Sequence, residues 1–247
     1  MKRAHPIRAI FKREFASYFA TPLAAIFLVI FLFVTSAFTF QMGGLYERGQ
    51  ADLRPFFTYL PWLYLFLVPA IAMRLWAEER RVGTIELLAT LPVRLVELVL
   101  GKFLAAWAFA TLALILTFPL WMTVAYLGDP DNGVILASYL GAALMAGSFL
   151  AIGACLSALS KNQVISFVVC VVACLGLLLA GFPMVLDFVS GWAPKVVVEA
   201  ISSLSLLTHF ESMQRGVVDL RDVLYFTLVM LGALFLNVLV LDWKKAD

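Results

Sequence analysis

The chain has 247 residues, 63% of them hydrophobic and only 14% charged, with 18 Lys and Arg against 16 Asp and Glu. A soluble domain carries about 25% charge, and a globule of this length could not cover so much apolar surface with a polar coat. A membrane protein is the reading left; soluble single-domain enzymes, disordered tails and nucleic-acid-binding modules are excluded.

Residues 1–21 come first. Ile7, Ile10, Phe11, Phe15, Tyr18 and Phe19 recur at helical spacing with Arg8, Lys12 and Arg13 between them. That pattern predicts an amphipathic helix at the headgroup level, apolar face in lipid and cations toward phosphates. A plain topology anchor is the alternative use of the same residues. Thr21-Pro22 breaks the helix and opens the first span.

Six windows without charge follow, at 23–40, 56–73, 103–127, 134–160, 164–185 and 223–241. Each can cross a hydrocarbon core of roughly 30 Å as a helix, the shortest with a flanking turn. The runs are continuous, not alternating, so a β-barrel does not fit. Gln41-Met42-Gly43-Gly44 replaces a small-x-small cleavage site, so the first window reads as a retained helix. Six spans put both termini on one side. Thirteen of the 18 Lys and Arg then fall on that side, which the positive-inside rule makes cytoplasmic.

The segment 74–102 holds the densest charge: Glu78, Glu79, Arg80, Arg81, Glu86, Arg94, Glu97 and Lys102. Ile85, Leu87, Leu88 and Leu91 predict a short helix with one apolar side, punctuated by Gly83 and Pro92. Thr84 supplies an N-terminal hydroxyl and Glu86 an early carboxylate. A second helical run, 93–101, leads into the third span. Such a cytoplasmic segment suits docking of a soluble partner, with Glu78 and Glu79 as anionic contacts and Arg80 and Arg81 available to lipid phosphates; a solvated connector is the rival reading.

Further along, Ala143, Gly147, Ala151 and Cys155 form a small-residue stripe at i,i+4, fit for close backbone approach either between two copies or within one. Cys155, Cys170 and Cys174 all lie in predicted spans, so no external disulfide framework exists; Cys170 and Cys174 read as small buried residues, no third soft ligand being near. In the outer segment 186–222, Trp192 and Pro194 suit an interface, and 196–207 is apolar enough to dip into the leaflet. His209 with Glu211 nearby reads as a hydrogen-bonded interfacial residue rather than a catalyst or metal ligand. With no linker or repeat, 1–247 is one membrane domain.

The run Glu-Glu-Arg-Arg-x-Gly-Thr-x-Glu-x-Leu-x-x-x-Pro-Val, with Glu97 and Gly101-Lys102 after it, resembles the loop between the second and third spans of type-2 ABC exporter permeases. His209-Phe210-Glu211 through Arg215-Gly216, followed by Asp219, Arg221 and Asp222, is similar to gliding-motility-type permeases and less closely to permeases serving nitrous-oxide-reductase maturation. The resemblance implies an all-α fold: six transmembrane helices, an N-terminal interfacial helix, a coupling helix in 74–102 and a re-entrant outer hairpin in 186–222. Glu78, Glu79, Gly83, Thr84, Glu86, Leu87, Pro92, Glu97 and Lys102 are then the ATPase-coupling residues. It further implies a bacterial-type inner membrane, an ABC ATPase subunit holding ATP and Mg, a second permease copy or paralogue, and an extracytoplasmic auxiliary protein.

No G-x-x-x-x-G-K-[ST] cradle is present, so the chain holds no nucleotide in that way and needs no cofactor of its own. His-Glu-x-x-His and Gly-x-Ser-Gly are missing too, which leaves no metal or intramembrane-protease reading. Ion-coupled carriers place ionisable groups at mid-membrane, and the six windows hold none. The expected function is therefore that of a non-catalytic permease subunit coupling ATP hydrolysis elsewhere to outward movement of a hydrophobic or amphipathic cargo, or to mechanical signalling. A secondary transporter or channel, or a scaffold, is the alternative.

Overall fold

The protein is described by a computed structural model over residues 6–83, 93–191 and 193–244, and its regular elements there are all helical. In chain order they are α1 (Pro6–Phe19), α2 (Pro22–Ala37) passing into a π-helical turn (Phe38–Met42), α3 (Arg54–Ala72), α4 (Arg74–Val82), α5 (Leu95–Ile115), α6 (Phe118–Leu127), α7 (Asn132–Leu159), α8 (Gln163–Leu179), α9 (Pro183–Ser190), α10 (Lys195–Ser203), α11 (Leu206–Gln214) and α12 (Leu220–Trp243).

Five of these stretches are long and apolar enough to cross a membrane: Ala24–Met42, Arg54–Val82, Leu95–Leu127, Asn132–Leu159 and Leu220–Trp243. The window 164–185 departs from the expected straight span. It divides into α8 and α9, bent by 77°, and makes a sixth crossing only if the pair is taken as one. Pro183 cannot donate to the carbonyl of Leu179, which ends the helix there. A Cβ on Gly181 would overlap the side chains of Ser205 and Thr208, so the start of α11 presses against the break. The third crossing is also interrupted, between α5 and α6, where Pro119 cannot donate to Ile115 and the Thr117 hydroxyl turns back onto the Leu114 carbonyl (2.6 Å).

The centre of the bundle is α7, and small residues explain why. Three of its glycines face five different neighbouring helices. A Cβ at Gly141 would crowd Phe210 and Met213 of α11 at 3.0–3.1 Å. At Gly147 it would meet Met230 of α12 and Trp107 of α5 at 2.6 and 2.9 Å, and at Gly153 it would overlap Ala72 of α3 and reach Cys170 of α8. Backbones pack this closely in lipid because dispersion, not apolar exclusion from water, holds helices together there. The stripe of Ala143, Gly147, Ala151 and Cys155 is thus engaged within the chain at its first two members: Gly147 as above, and Ala143 through its carbonyl, which accepts the Trp107 indole N–H at 2.8 Å. Ala151 is buried and Cys155 half-buried.

Overpacking α7 is therefore costly. Gly153→Leu is expected to lower stability by about 3 kcal/mol, whereas Gly232→Leu, on α12 with open space around it, leaves it unchanged. Thermal unfolding of the detergent-solubilised chain compares the two, and equal midpoints would refute the central placement of α7.

Candidate functional site

The charged segment 74–102 is not one long loop. Its first nine residues continue α3 as α4, with Leu75, Trp76 and Ala77 buried, and its last eight already belong to α5; only 83–94 separates the two helices. Gly83 ends α4 at φ +78°, a left-handed cap that glycine adopts without strain. Glu97 caps the start of α5, its carboxylate accepting the Arg94 N–H at 3.0 Å. Thr84, Glu86, Leu87 and Pro92 lie outside the described residues, and so does the predicted short helix; Trp192 lies outside them too.

At this end of the bundle α1, α4 and α5 meet around Lys102. Gly101 lets α1 come close, since a Cβ there would run into Ile10 at 2.6 Å. Tyr18 stacks on Phe109 with ring centroids 4.9 Å apart. Part of the apolar face expected to lie in lipid is thus spent on α5. Lys102 is only 4% exposed. Its Nζ sits 2.6 Å from Glu79 Oε1 and 3.3 Å from Glu14 Oε2, and 5.3 Å from the centre of the Trp76 ring. Two carboxylates and an aromatic face replace the water this ammonium loses. Arg13 adds a second cation, 2.6 Å from Glu14 Oε1. Burial alone would push the Glu14 carboxyl up, but Lys102 and Arg13 outweigh it and hold the group below its ordinary value of 4.5.

The acids expected to face outward are in use within the chain. Glu79 turns inward to Lys102, and Glu78 takes Arg74 at 3.0 Å and Arg81 at 3.9 Å. Arg80 likewise makes a contact within the chain, donating to the Ala158 carbonyl at 2.6 Å. Ser157 completes the joint between α4 and α7. Its hydroxyl donates to the Met73 carbonyl (2.9 Å) and accepts the N–H groups of Trp76 (3.2 Å) and Ala77 (3.0 Å). Hydrogen bonds and an ion triad thus tie α4 and α5 to α1 and to the central helix α7. Glu14 was missed by sequence reasoning because it lies 88 positions from Lys102; its signal was being the one acid in an otherwise basic amphipathic segment.

The opposite end carries the second motif. Within 195–216, α10 buries none of its residues in the chain, and it is α11 that enters the bundle with Leu206, His209, Phe210 and Met213 buried. His209 Nδ1 lies 2.6 Å from Asp222 Oδ1 and Nε2 lies 3.2 Å from the Ser203 carbonyl, with the ring stacked on Tyr225 at 3.9 Å. Both ring nitrogens are thus held in hydrogen-bond contact with oxygen atoms. Gly216, at φ +83°, turns the chain against Val134, and Asp219 caps α12 by accepting the Arg221 N–H at 3.0 Å. Asp219, Arg221, His209 and Asp222 border one recess; Glu211 and Arg215 face another, a cleft between α3, α7 and α11.

Helical crossings, a charged hub at one end and an inserted helix at the other define a multi-pass α-helical membrane protein. Residues 44–241 match the model of a family described as ABC-2 family transporter protein, and the chain belongs to that family. No curated protein matches it.

Proposed function

We propose that the chain is the permease subunit of an ABC exporter whose ATP and Mg are held by a separate ATPase subunit. Membership of the ABC-2 family over residues 44–241 carries this reading. Gliding-motility-type permeases are the subgroup its two motifs fit best. In this reading the chain is one membrane domain of the inner membrane with both termini cytoplasmic, α1 lies at the cytoplasmic interface, and 83–94 docks on the ATPase. The Lys102 triad supports that assignment, because it couples the helices flanking 83–94 to α1 and, through Ser157, to α7. Two permease copies, or one and a paralogue, work as a pair. Closure of the ATPases moves both segments and shifts an inward-open to outward-open equilibrium by differential contacts. The cargo is hydrophobic or amphipathic, and the α10–α11 hairpin closes its outer exit, where an auxiliary extracytoplasmic protein has room to dock.

Copurification from native membranes tests it. The expected result is an ABC ATPase in stoichiometric amount with two permease chains. Leu87→Pro, which costs about 3 kcal/mol in any helix it interrupts, together with Glu86→Lys in a second variant, is expected to release the ATPase or abolish its stimulated turnover while the crossings stay inserted. Wild-type stoichiometry and turnover in both variants would overturn the docking assignment; a chain purifying with no ATPase would overturn the function.

A further inference from the structure

On the face opposite the termini a cleft of about 690 Å³ opens between α3, α7 and α11, with Phe182 at the start of α9 closing one side. Small-molecule sites are roughly 300–1,000 Å³. The lining changes with depth. Asp52, Arg54, Asp131, Glu211 and Arg215 form the rim. Phe57 and Ile135 form a buried floor, and Trp62 meets Phe182 edge to face at 6.0 Å. Trp62 lies eight positions along α3 from Arg54, and Ser138 seven along α7 from Asp131, so the apolar end is about 10–12 Å below the rim. That depth is about a third of a hydrocarbon core. A phospholipid needs this gradient, polar groups for its headgroup above aromatic groups for its first chain carbons.

The rim is also electrostatically incomplete. Among the described residues, neither guanidinium, Arg54 or Arg215, is in an ion pair, and neither is the Glu211 carboxylate. Gln214 bridges the cleft by donating to the Phe57 carbonyl at 3.0 Å, which fixes α11 against α3 and preforms the space.

We propose that this cleft binds the headgroup and upper chain of one zwitterionic phospholipid in the leaflet on that face. The two guanidinium groups hold the phosphate, a planar donor fork being matched to its oxygens. Glu211, Asp131 and Asp52 surround the ammonium, and Trp62 and Phe182 pack on the acyl carbons. Charge selects the zwitterion: an anionic headgroup would meet three carboxylates with two guanidinium groups and leave the excess acid unmatched. The site is complete in one chain and needs neither an ATPase nor a second copy, so it stands or falls independently of the transport reading.

Native mass spectrometry of the delipidated full chain, titrated with phosphatidylethanolamine, phosphatidylglycerol and uncharged diacylglycerol, tests it. The expected result is one phosphatidylethanolamine retained about tenfold more tightly than either other lipid, since one charge-assisted contact accounts for about a factor of ten. Arg54→Ala/Arg215→Ala should abolish the preference. Lys195→Ala, a cation of the same face outside the cleft, should keep it. Glu211→Gln should move the preference toward phosphatidylglycerol. Equal retention of all three lipids, an unchanged preference in the double arginine variant, or tighter capture of an amphipathic peptide than of any lipid would each overturn the proposal.

Discussion

Lys102→Met is expected to destabilise the protein by about 3 kcal/mol, because it removes the cation from a buried cluster and leaves Glu14 and Glu79 facing its place. Methionine keeps the length and apolar stem, so the loss is electrostatic and not a cavity. The double variant Lys102→Met/Glu79→Gln should recover part of it, one orphaned carboxylate having been neutralised. Acidity gives an independent readout. In the wild type Glu14 is held below its ordinary value of 4.5, so its stabilising contribution is complete above that pH and is lost as pH falls through the lower, folded-state value. Without Lys102, burial dominates and protonation relieves the site. The gap between variant and wild type is therefore widest at neutral pH and narrows on acidification. Chemical denaturation of the purified chain between about pH 4 and 7 measures both; a pH-independent gap would refute the triad.

The crossings were legible because composition alone demands them: five of the six windows return as single apolar stretches, two of them extended into the charged helices α4 and α5. Local punctuation was legible as well. Gly83 ends a helix and Thr21-Pro22 begins one. The break in the fifth crossing was not. Gly181 and Pro183 sit inside a charge-free run, and averaged hydropathy cannot tell a straight helix from one bent to admit α11. The charged pairings were hidden for a different reason. Glu14, Glu79 and Lys102 come from three elements, and which acid faces solvent or a buried cation depends on packing that no local pattern encodes. His209 and Asp222 were both singled out, but their pairing across 13 positions requires α11 to fold back on α12.

That pairing sets up an asymmetric pair of substitutions. His209→Leu is expected to cost about 3 kcal/mol or more, and Asp222→Asn only about 1 kcal/mol. The reason lies in what each leaves behind. Asp222 Oδ2 already lacks a hydrogen-bond partner among the described residues, so the histidine supplies the carboxylate's one close donor. Removing it strands a buried carboxylate beside the Tyr225 ring. An asparagine in place of Asp222 can still hydrogen-bond Nδ1, while Nε2 keeps its contact with the Ser203 carbonyl. His209→Leu/Asp222→Leu should therefore be more stable than His209→Leu alone, since no charge remains to be satisfied. The site of the damage is as diagnostic as its size. Nothing in α10 is buried, so with α11 loosened from α12 the whole 195–216 hairpin should gain hydrogen exchange while α3, α5 and α7 keep their protection. If His209→Leu unfolds the chain uniformly, or if Asp222→Asn proves the more damaging change, the pair is not the clasp that holds the hairpin in the bundle.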